Sequence, residues 1–364
     1  MKENILIIIK NKHDPSSYYR IYQYFEDRIS YKNIAIKEQI SDNIYIHYYR
    51  KKRGIFLKIL LWIYILLRSI FFIVQDILFY QSEVVVINRK IFPRYFPLFL
   101  ALFLKHYLCS KKVYWDFDDD IIGEKEISNI EKEILEEVSD TIVVTHEYLK
   151  NTLPISIHSK VTLLYTTDKI FENYSLNFQD YFRYNSYDEC IKLIWIGTRN
   201  NLEFLREIIP ILDKTALKLK NTKNKSLELI IVSNSKIVLA TQELKIKNIL
   251  WSRSIALEEL QYAHIGLMPL PDTSYARGKG GFKAIQYIGS GIPSIISNTG
   301  FNNNVIQHNY NGYLVDIEQD WEKYIYDLST NKEKWTQFSL AARESWEIKF
   351  NSKIPYEFWN NIIN

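Results

Sequence analysis

The sequence predicts an α/β protein built from two doubly wound domains, and three observations predict it. Short runs rich in Val and Ile alternate with helical patterns along almost the whole chain. The alternation breaks at a polar, aromatic-rich stretch, 171–190, and then restarts. Glycine is scarce, 11 residues in 364, yet three of the eleven sit among basic residues in one strand-to-helix loop. Scarcity makes that cluster informative, because glycine there is needed rather than incidental.

In the first half, strands are predicted at 5–10, 43–48, 83–88, 112–117, 141–145 and 161–165. Between the fourth and fifth, Ile127, Ile130, Ile134, Leu135 and Val138 repeat at helical spacing. Ser128 with Glu131 gives a capping-box signature near that helix's start. In the second half, strands are predicted at 191–197, 227–233, 246–251, 265–270, 293–298 and 312–316. Helices are predicted at 200–219, 256–263, 281–290 and 320–330. The tail from about 333 is helical, with a second helix after Pro355 that reaches back to the first domain. The boundaries follow: a first domain over 1–172, a second over 185–340, and a returning tail over 341–364. Such a pair presents the carboxyl ends of both sheets to a shared cleft, where ligands bind at the switch points of strand order.

Bulk properties exclude several classes. Apolar residues make up 47% of the chain, which argues for a packed core rather than disorder. Lys plus Arg is 46 and Asp plus Glu is 42, a formal charge of +4, too mild for a nucleic-acid binder. Two cysteines, Cys109 and Cys190, stand far apart, and no His pair has zinc spacing, so neither a disulfide framework nor a structural zinc is expected. Met1–Lys10 runs straight into an apolar strand without a basic leader or cleavage site, which points to the cytoplasmic side.

Residues 55–80 are very apolar, but Lys58, Arg68 and Asp76 interrupt them. On a helical wheel these three gather with Ser69 and Gln75 on one face. Lys51, Lys52 and Arg53 stand just before. Two readings stay open for 51–80: a helix lying peripherally in the membrane interface, basic residues toward anionic lipid, or a helix packed on the first sheet. A spanning helix is not favoured, because the uncharged runs are too short.

The densest chemical signal is 264–300. A strand ends near Leu270, a loop carries Arg277, Gly278, Lys279, Gly280 and Gly281, and a helix opens at Phe282 with Lys283 in its first turn. Loop glycines let backbone approach a ligand closely, a helix N-terminus offers N–H groups and a positive dipole end, and three cations add full charges. That combination suits a diphosphate. Its plain alternative is a solvated basic loop. In the first half, VYWDFDDDII (113–122) places Asp116, Asp118, Asp119 and Asp120 at the end of a strand. Alone, such a cluster suggests a hard-metal site, or simply caps and solvation.

These segments resemble the family 4 glycosyltransferases of GT-B fold, especially the branch serving bacterial surface polysaccharides. The resemblance rests on HIGLMPLPD, ARGKGGFKAIQYIGSGIPSIIS, WIGTRNNLEFL (195–205), PSSYYRIYQYF (15–25), VYWDFDDDII and VTLLYTTDKIF (161–171). It implies a first domain on the acceptor side and a second that binds a nucleotide sugar. It implies donor contacts from Gly197, Thr198, Arg199, Trp251, Ser252, Arg277, Gly278, Lys279, Gly280, Gly281, Phe282, Lys283, Gln286 and Tyr287. Ser16, Ser17 and Arg20 fall on the acceptor side. Asp116, Asp118 and Asp119, with Lys283, are the expected catalytic residues. Two glutamates of the family pattern are absent: Gly278 and Gln286 occupy their places. The resemblance further implies a retaining hexosyl transfer to a polysaccharide or lipid-linked glycan, with neither cofactor nor metal. Two alternatives stay beside it: a nucleotide-sugar epimerase of the same fold, and a catalytically degenerate nucleotide-sugar-binding or scaffold subunit.

Overall fold

A computed structural model of the chain describes residues 3–28, 31, 33–49, 54–174 and 182–362. Lys51, Lys52, Arg53 and the middle of the 171–190 stretch lie outside the described residues. The chain divides into two compact units. The first comprises 1–166, 278–280 and 352–364; the second comprises 167–277 and 281–351.

The first unit is built on a six-stranded parallel sheet: β1 (Ile5–Ile9), β2 (Ile34–Glu38), β3 (Val84–Asn88), β4 (Lys112–Phe117), β5 (Thr141–Val144) and β6 (Val161–Leu163). Their spatial order is β2-β1-β3-β4-β5-β6. β1 and β3 are buried along their whole length, as expected of central strands covered on both faces. The chain moves one way from β1 to β2 and the other way from β3 onward, so strand order reverses between β1 and β3. The second unit repeats the plan with β7 (Cys190–Gly197), β8 (Ser226–Ser233), β9 (Lys245–Leu250), β10 (Ile265–Met268), β11 (Ser294–Ser297) and β12 (Gly312–Val315). Its order is β12-β11-β10-β7-β8-β9, reversing between β7 and β10.

One predicted strand is wrong. Residues 43–48 lie within a helix, Asp42–Tyr49, and the strand is instead Ile34–Glu38. β2 is an edge strand, so one side needs no partner and four of its five residues are half-buried. IAIKE therefore reads as polar, while IYIHYY imitates strand alternation. One expected cap also differs. Asp14 caps the helical segment that holds Ser16 and Ser17, its carboxylate accepting from Ser17 N. Ser128 does cap the helix Asn129–Val138, but Glu131 does not return to it. The Glu131 carboxylate instead accepts from Ile91 N (2.5 Å) and Phe92 N (3.1 Å) in the interior.

The tail divides later than the sequence suggests. Helix Lys332–Lys349 stays wholly in the second unit, where Arg343 Nη1 donates to Gly289 O (2.7 Å) and Trp346 Nε1 to Thr167 Oγ1 (3.1 Å). The first unit regains the chain at Ser352. Helix Lys353–Asn361 then buries Trp359 against Phe25, ring centroids 6.1 Å apart, and Arg28 Nη2 donates to Asn360 Oδ1 (2.7 Å).

Helix Ile55–Gln75, extended by a π-helical turn over Asp76–Tyr80, is a finding in itself. Much of the polar face of the wheel points inward. Arg68 Nε donates to Glu38 O (2.7 Å) and Ser69 Oγ to Ile91 O (2.8 Å). Asp76 is fully buried and accepts from Ser82, Tyr107 and Lys111. Much of the apolar circumference faces outward.

Candidate functional site

In the second unit three of the expected donor residues, Gly197, Gly281 and Lys283, lie at the switch between β7 and β10, where ligands bind in doubly wound sheets. β7 ends at Gly197, and the buried Trp195 ring lies beside that glycine. A Cβ placed on Gly197 would stand 2.5 Å from the indole and 3.0 Å from Lys283 Nζ. The Lys283 ammonium is 4.9 Å from the Trp195 ring centre, a cation–π distance. Only a residue without a side chain lets Lys283 come this close to the strand end.

Lys283 is in the first turn of helix Phe282–Gly289, which starts on Gly281 in a left-handed conformation, φ 64°. A Cβ there would meet Val305 and Phe301 as well as carry the strained φ. Among the described residues no side chain caps the N-terminus of this helix. The other end is held firmly. Arg183, fully buried, donates to Ser290 O (2.8 Å) and Gly291 O (3.1 Å) just past the helix, and to Leu260 O and Gln261 O at the end of helix Arg253–Tyr262. A cation at two helix C-termini complements both dipoles. The helix that carries Lys283 is thus fixed by a residue the motif does not contain.

The remaining expected donor residues separate. Gln286 is buried, and its carboxamide takes no partner among the described residues. Tyr287 is a correction: its hydroxyl accepts from Ile196 N and donates to Leu267 O, both 3.1 Å, and its ring packs on Gly266. It ties β7 to β10 and is closed to ligand, and burial pushes its phenol pKa up. Ser252 caps helix Arg253–Tyr262 through Ile255 N (3.2 Å). Trp251 is half-buried at the end of β9. Thr198 is exposed and accepts from Asn201 Nδ2 (3.4 Å). Arg199 is exposed, with N donating to Asn234 Oδ1 (2.8 Å) and Nε to Ser235 Oγ (3.3 Å). Arg277 pairs bidentately with Asp272 (2.6 and 2.7 Å) on the surface. Gly278, Lys279 and Gly280 group with the first unit, where Lys279 O accepts from His146 Nε2 (3.1 Å).

In the first unit the acidic loop gathers at the β1/β3 switch. Asp116 and Arg20, expected on the catalytic and acceptor side, are a second correction. They form a buried ion pair, side chains 0% and 1% exposed, Arg20 Nη2 to Asp116 Oδ1 2.5 Å. Asn88 Nδ2 donates to the other carboxylate oxygen (3.0 Å), and Arg20 Nη1 reaches Leu164 O. Every strong site on both groups is spent inside, so they brace the site rather than touch a ligand. Ser17 is likewise internal, its hydroxyl donating to Asn88 Oδ1 (3.0 Å). Asp120 turns the loop by accepting from Gly123 N (2.7 Å).

Asp118 and Asp119 remain partly open. Ser16 Oγ donates to Asp118 Oδ1 (2.6 Å). Arg89 Nη1 stands 3.2 Å from both carboxylates, and Arg89 Nη2 donates to Glu126 Oε2 (2.7 Å). Burial, with Asp119 close by, raises the Asp118 pKa to about 6. Burial would raise Asp119 as well, but Arg89 and Lys279 hold it below the usual value. Burial lowers the His146 pKa below its usual value. Among the described residues no group of three or more His, Cys, Asp and Glu is placed to hold a metal ion.

Sequence reasoning missed Arg89, the hub of this cluster. Its backbone is left-handed, φ 67°, and held from both sides: N donates to Asp116 O (2.7 Å) and O accepts from Trp115 Nε1 (2.9 Å). A strained non-glycine residue at a switch point is the mark of a functional position. The available signal was Asn88-Arg89-Lys90 directly after the apolar run VVVI.

No family model matches the sequence, and no curated protein matches it by sequence. Solved structures do match its fold. Anabaena Alr3699/HepE, crystallised with UDP and glucose, aligns over 99% of this chain and 98% of its own at 8% identity and a TM-score of 0.66. An alpha-glucosyltransferase in complex with UDP and a DNA 13-mer aligns over the whole of both chains at 11% identity, TM-score 0.60. A protein of Listeria monocytogenes assigned as a UDP-N-acetylglucosamine 2-epimerase aligns over 98% of this chain and 94% of its own at 12% identity, TM-score 0.56. The fold is the two-domain α/β architecture of GT-B glycosyltransferases.

Proposed function

We propose that the chain is a glycosyltransferase that takes its sugar from a UDP-linked donor. The observation that carries the reading is Lys283 held over Trp195 beside Gly197, at the β7/β10 switch and in the first turn of a helix begun by a left-handed glycine. UDP in the matched structures supports the choice of nucleotide.

Transfer breaks the bond between the anomeric carbon and the diphosphate oxygen. Positive charge builds on the sugar and negative charge on the leaving diphosphate. Lys283 and the helix dipole are aimed where that negative charge develops, and such preorganised stabilisation is worth about 3 kcal/mol per donor group. Gln286, whose carboxamide takes no partner among the described residues, is the group proposed to hold the ribose hydroxyls. Asp118, Asp119 and Ser16, ordered by Arg89, are proposed to orient the acceptor hydroxyl. The finer reading is a retaining hexosyl transfer, without metal or cofactor, to a polysaccharide or lipid-linked glycan at the inner face of the cytoplasmic membrane.

The test is release of UDP from UDP-glucose and related UDP-sugars, with and without a lipid extract of the source cells as acceptor, each in EDTA. Acceptor-dependent release that survives EDTA supports the reading. Acceptor-independent interconversion of the sugar supports the epimerase, the one rival that a matched structure favours. Donor binding with no turnover in any arm supports a degenerate binding subunit.

A further inference from the structure

Helices Ile55–Gln75 and Leu98–Leu108 cover the same face of the first sheet. Leu66, Ile73, Leu100 and Leu104 share one core cluster, and Tyr107 Oη donates to Asp76. Outside this packing the two helices expose a broad apolar surface. Ile55, Phe56, Leu67, Phe71, Phe99 and Leu102 are each more than half exposed. So many large apolar side chains left exposed on two helices covering one sheet face are unusual for a soluble monomer.

Its charge selects an occupant. No Asp or Glu occurs from 54 to 75 or from 84 to 115, whereas Lys58 and Arg94 fall there. Lys58 is exposed within the apolar surface. Apolar helices that carry cations and no acid of their own fit anionic lipid. Helix and π-turn together, Ile55–Tyr80, are long and apolar enough to span a bilayer. Spanning, however, would strip away the bonds of Arg68, Ser69 and Asp76 to the body of the unit.

Topology adds a direction. In a parallel sheet the connecting helices run back against the strands, so their N-termini lie at the carboxyl edge. The shorter helix therefore begins at the edge that carries Ser16, Arg89 and Asp118, and the longer one crosses that edge at Arg68 and Ser69, bonded to Glu38 O and Ile91 O past the ends of β2 and β3, so that its first turns extend beyond it. Gly54–Leu60, the first turns of the longer helix, are exposed at every residue.

We propose that this surface docks in the plane of an anionic lipid bilayer and brings a membrane-anchored acceptor to the Arg89–Asp118 edge. The acceptor clause rests on the transferase reading; the docking surface does not. The experiment is flotation of the full chain with phosphatidylcholine vesicles, with or without phosphatidylglycerol, beside the triple variant Phe56→Glu, Leu67→Glu, Phe99→Glu, with UDP affinity measured on both. The proposal expects salt-sensitive flotation with anionic vesicles, about tenfold weaker binding to neutral ones, and loss of flotation in the variant with UDP affinity unchanged. Failure of the native chain to float, or equal binding to neutral vesicles, overturns it. So does a native dimer that the substitutions dissociate while flotation persists, since the surface would then pair two copies. Flotation without UDP binding would leave the docking intact and remove the transferase reading.

Discussion

The ammonium of Lys283 lies 4.9 Å from the centre of the Trp195 indole, against the space that a side chain at Gly197 would fill. The three residues form one device. The ring gives the cation a seat, the helix brings it there, and the glycine leaves the approach open. Gly197→Val puts methyl groups into the indole and the ammonium, so Lys283 must move. The expected outcome is a loss of UDP affinity of about tenfold or more, since a small misplacement at such a site is costly. Titration calorimetry with UDP reads it, and circular dichroism checks that the fold survives.

Arg20 and Asp116 are a buried pair whose partners are all internal. Removing one leaves the other charged and uncompensated, at a cost of about 3–5 kcal/mol. Asp116→Ala is therefore expected to lower the denaturation midpoint strongly. The double replacement Arg20→Met with Asp116→Leu is expected to cost less than either single change. Urea melts of the three variants test this. A stable, inactive Asp116→Ala would instead return Asp116 to the catalytic group.

Arg89 orders Asp118, Asp119 and Glu126 together, and its charge holds the Glu126 pKa down at about 2 against burial. Arg89→Gly and Arg89→Ala both lose the guanidinium. Gly relieves the left-handed backbone, worth roughly 1 kcal/mol. The Gly variant should melt higher than the Ala variant, while both transfer sugar about a hundredfold more slowly with UDP affinity unchanged. Equal loss of UDP affinity would place Arg89 on the donor side.

Glu131 gives a pH signature. Burial raises its pKa from the usual 4.5 to about 7, against the opposing effect of the Ile91 and Phe92 amides. Between those values the folded state binds more protons than the unfolded one, so stability falls as pH rises through the window. Glu131→Gln keeps an acceptor for both amides and removes the charge. Its stability should lack that decline and exceed the native chain's by roughly 3 kcal/mol at pH 8. At pH 4.5 the two should coincide.

The alternation of strands and helices was readable because β1, β3, β7 and β8 are continuous apolar runs bounded by polar loops. β2 was not, because an edge strand can carry Lys37 and Glu38 without penalty. The polar face of helix Ile55–Gln75 was visible on the wheel but pointed the other way. Its partners, Glu38 O, Ile91 O, Tyr107 and Lys111, are remote in sequence, and nothing local distinguishes a solvated serine from one bonded in a core. The glycine-rich loop marked the helix start at Gly281 with Lys283 in its first turn. It could not reveal that Tyr287 ties two strands, that Asp116 belongs to Arg20, or that Arg183 anchors the helix from behind. Those roles are set by tertiary hydrogen bonds, which spacing does not encode.

The most direct test of the donor site is the affinity of UDP for the native chain and for Lys283→Ala, measured by titration calorimetry in EDTA. Loss of one charge-assisted contact to a diphosphate is expected to weaken binding by about 1.5–3 kcal/mol, a factor of roughly ten to a hundred, with the melting temperature of the free protein nearly unchanged. Tight UDP binding by Lys283→Ala, equal to that of the native chain, would contradict the account and remove the nucleotide from the β7/β10 switch.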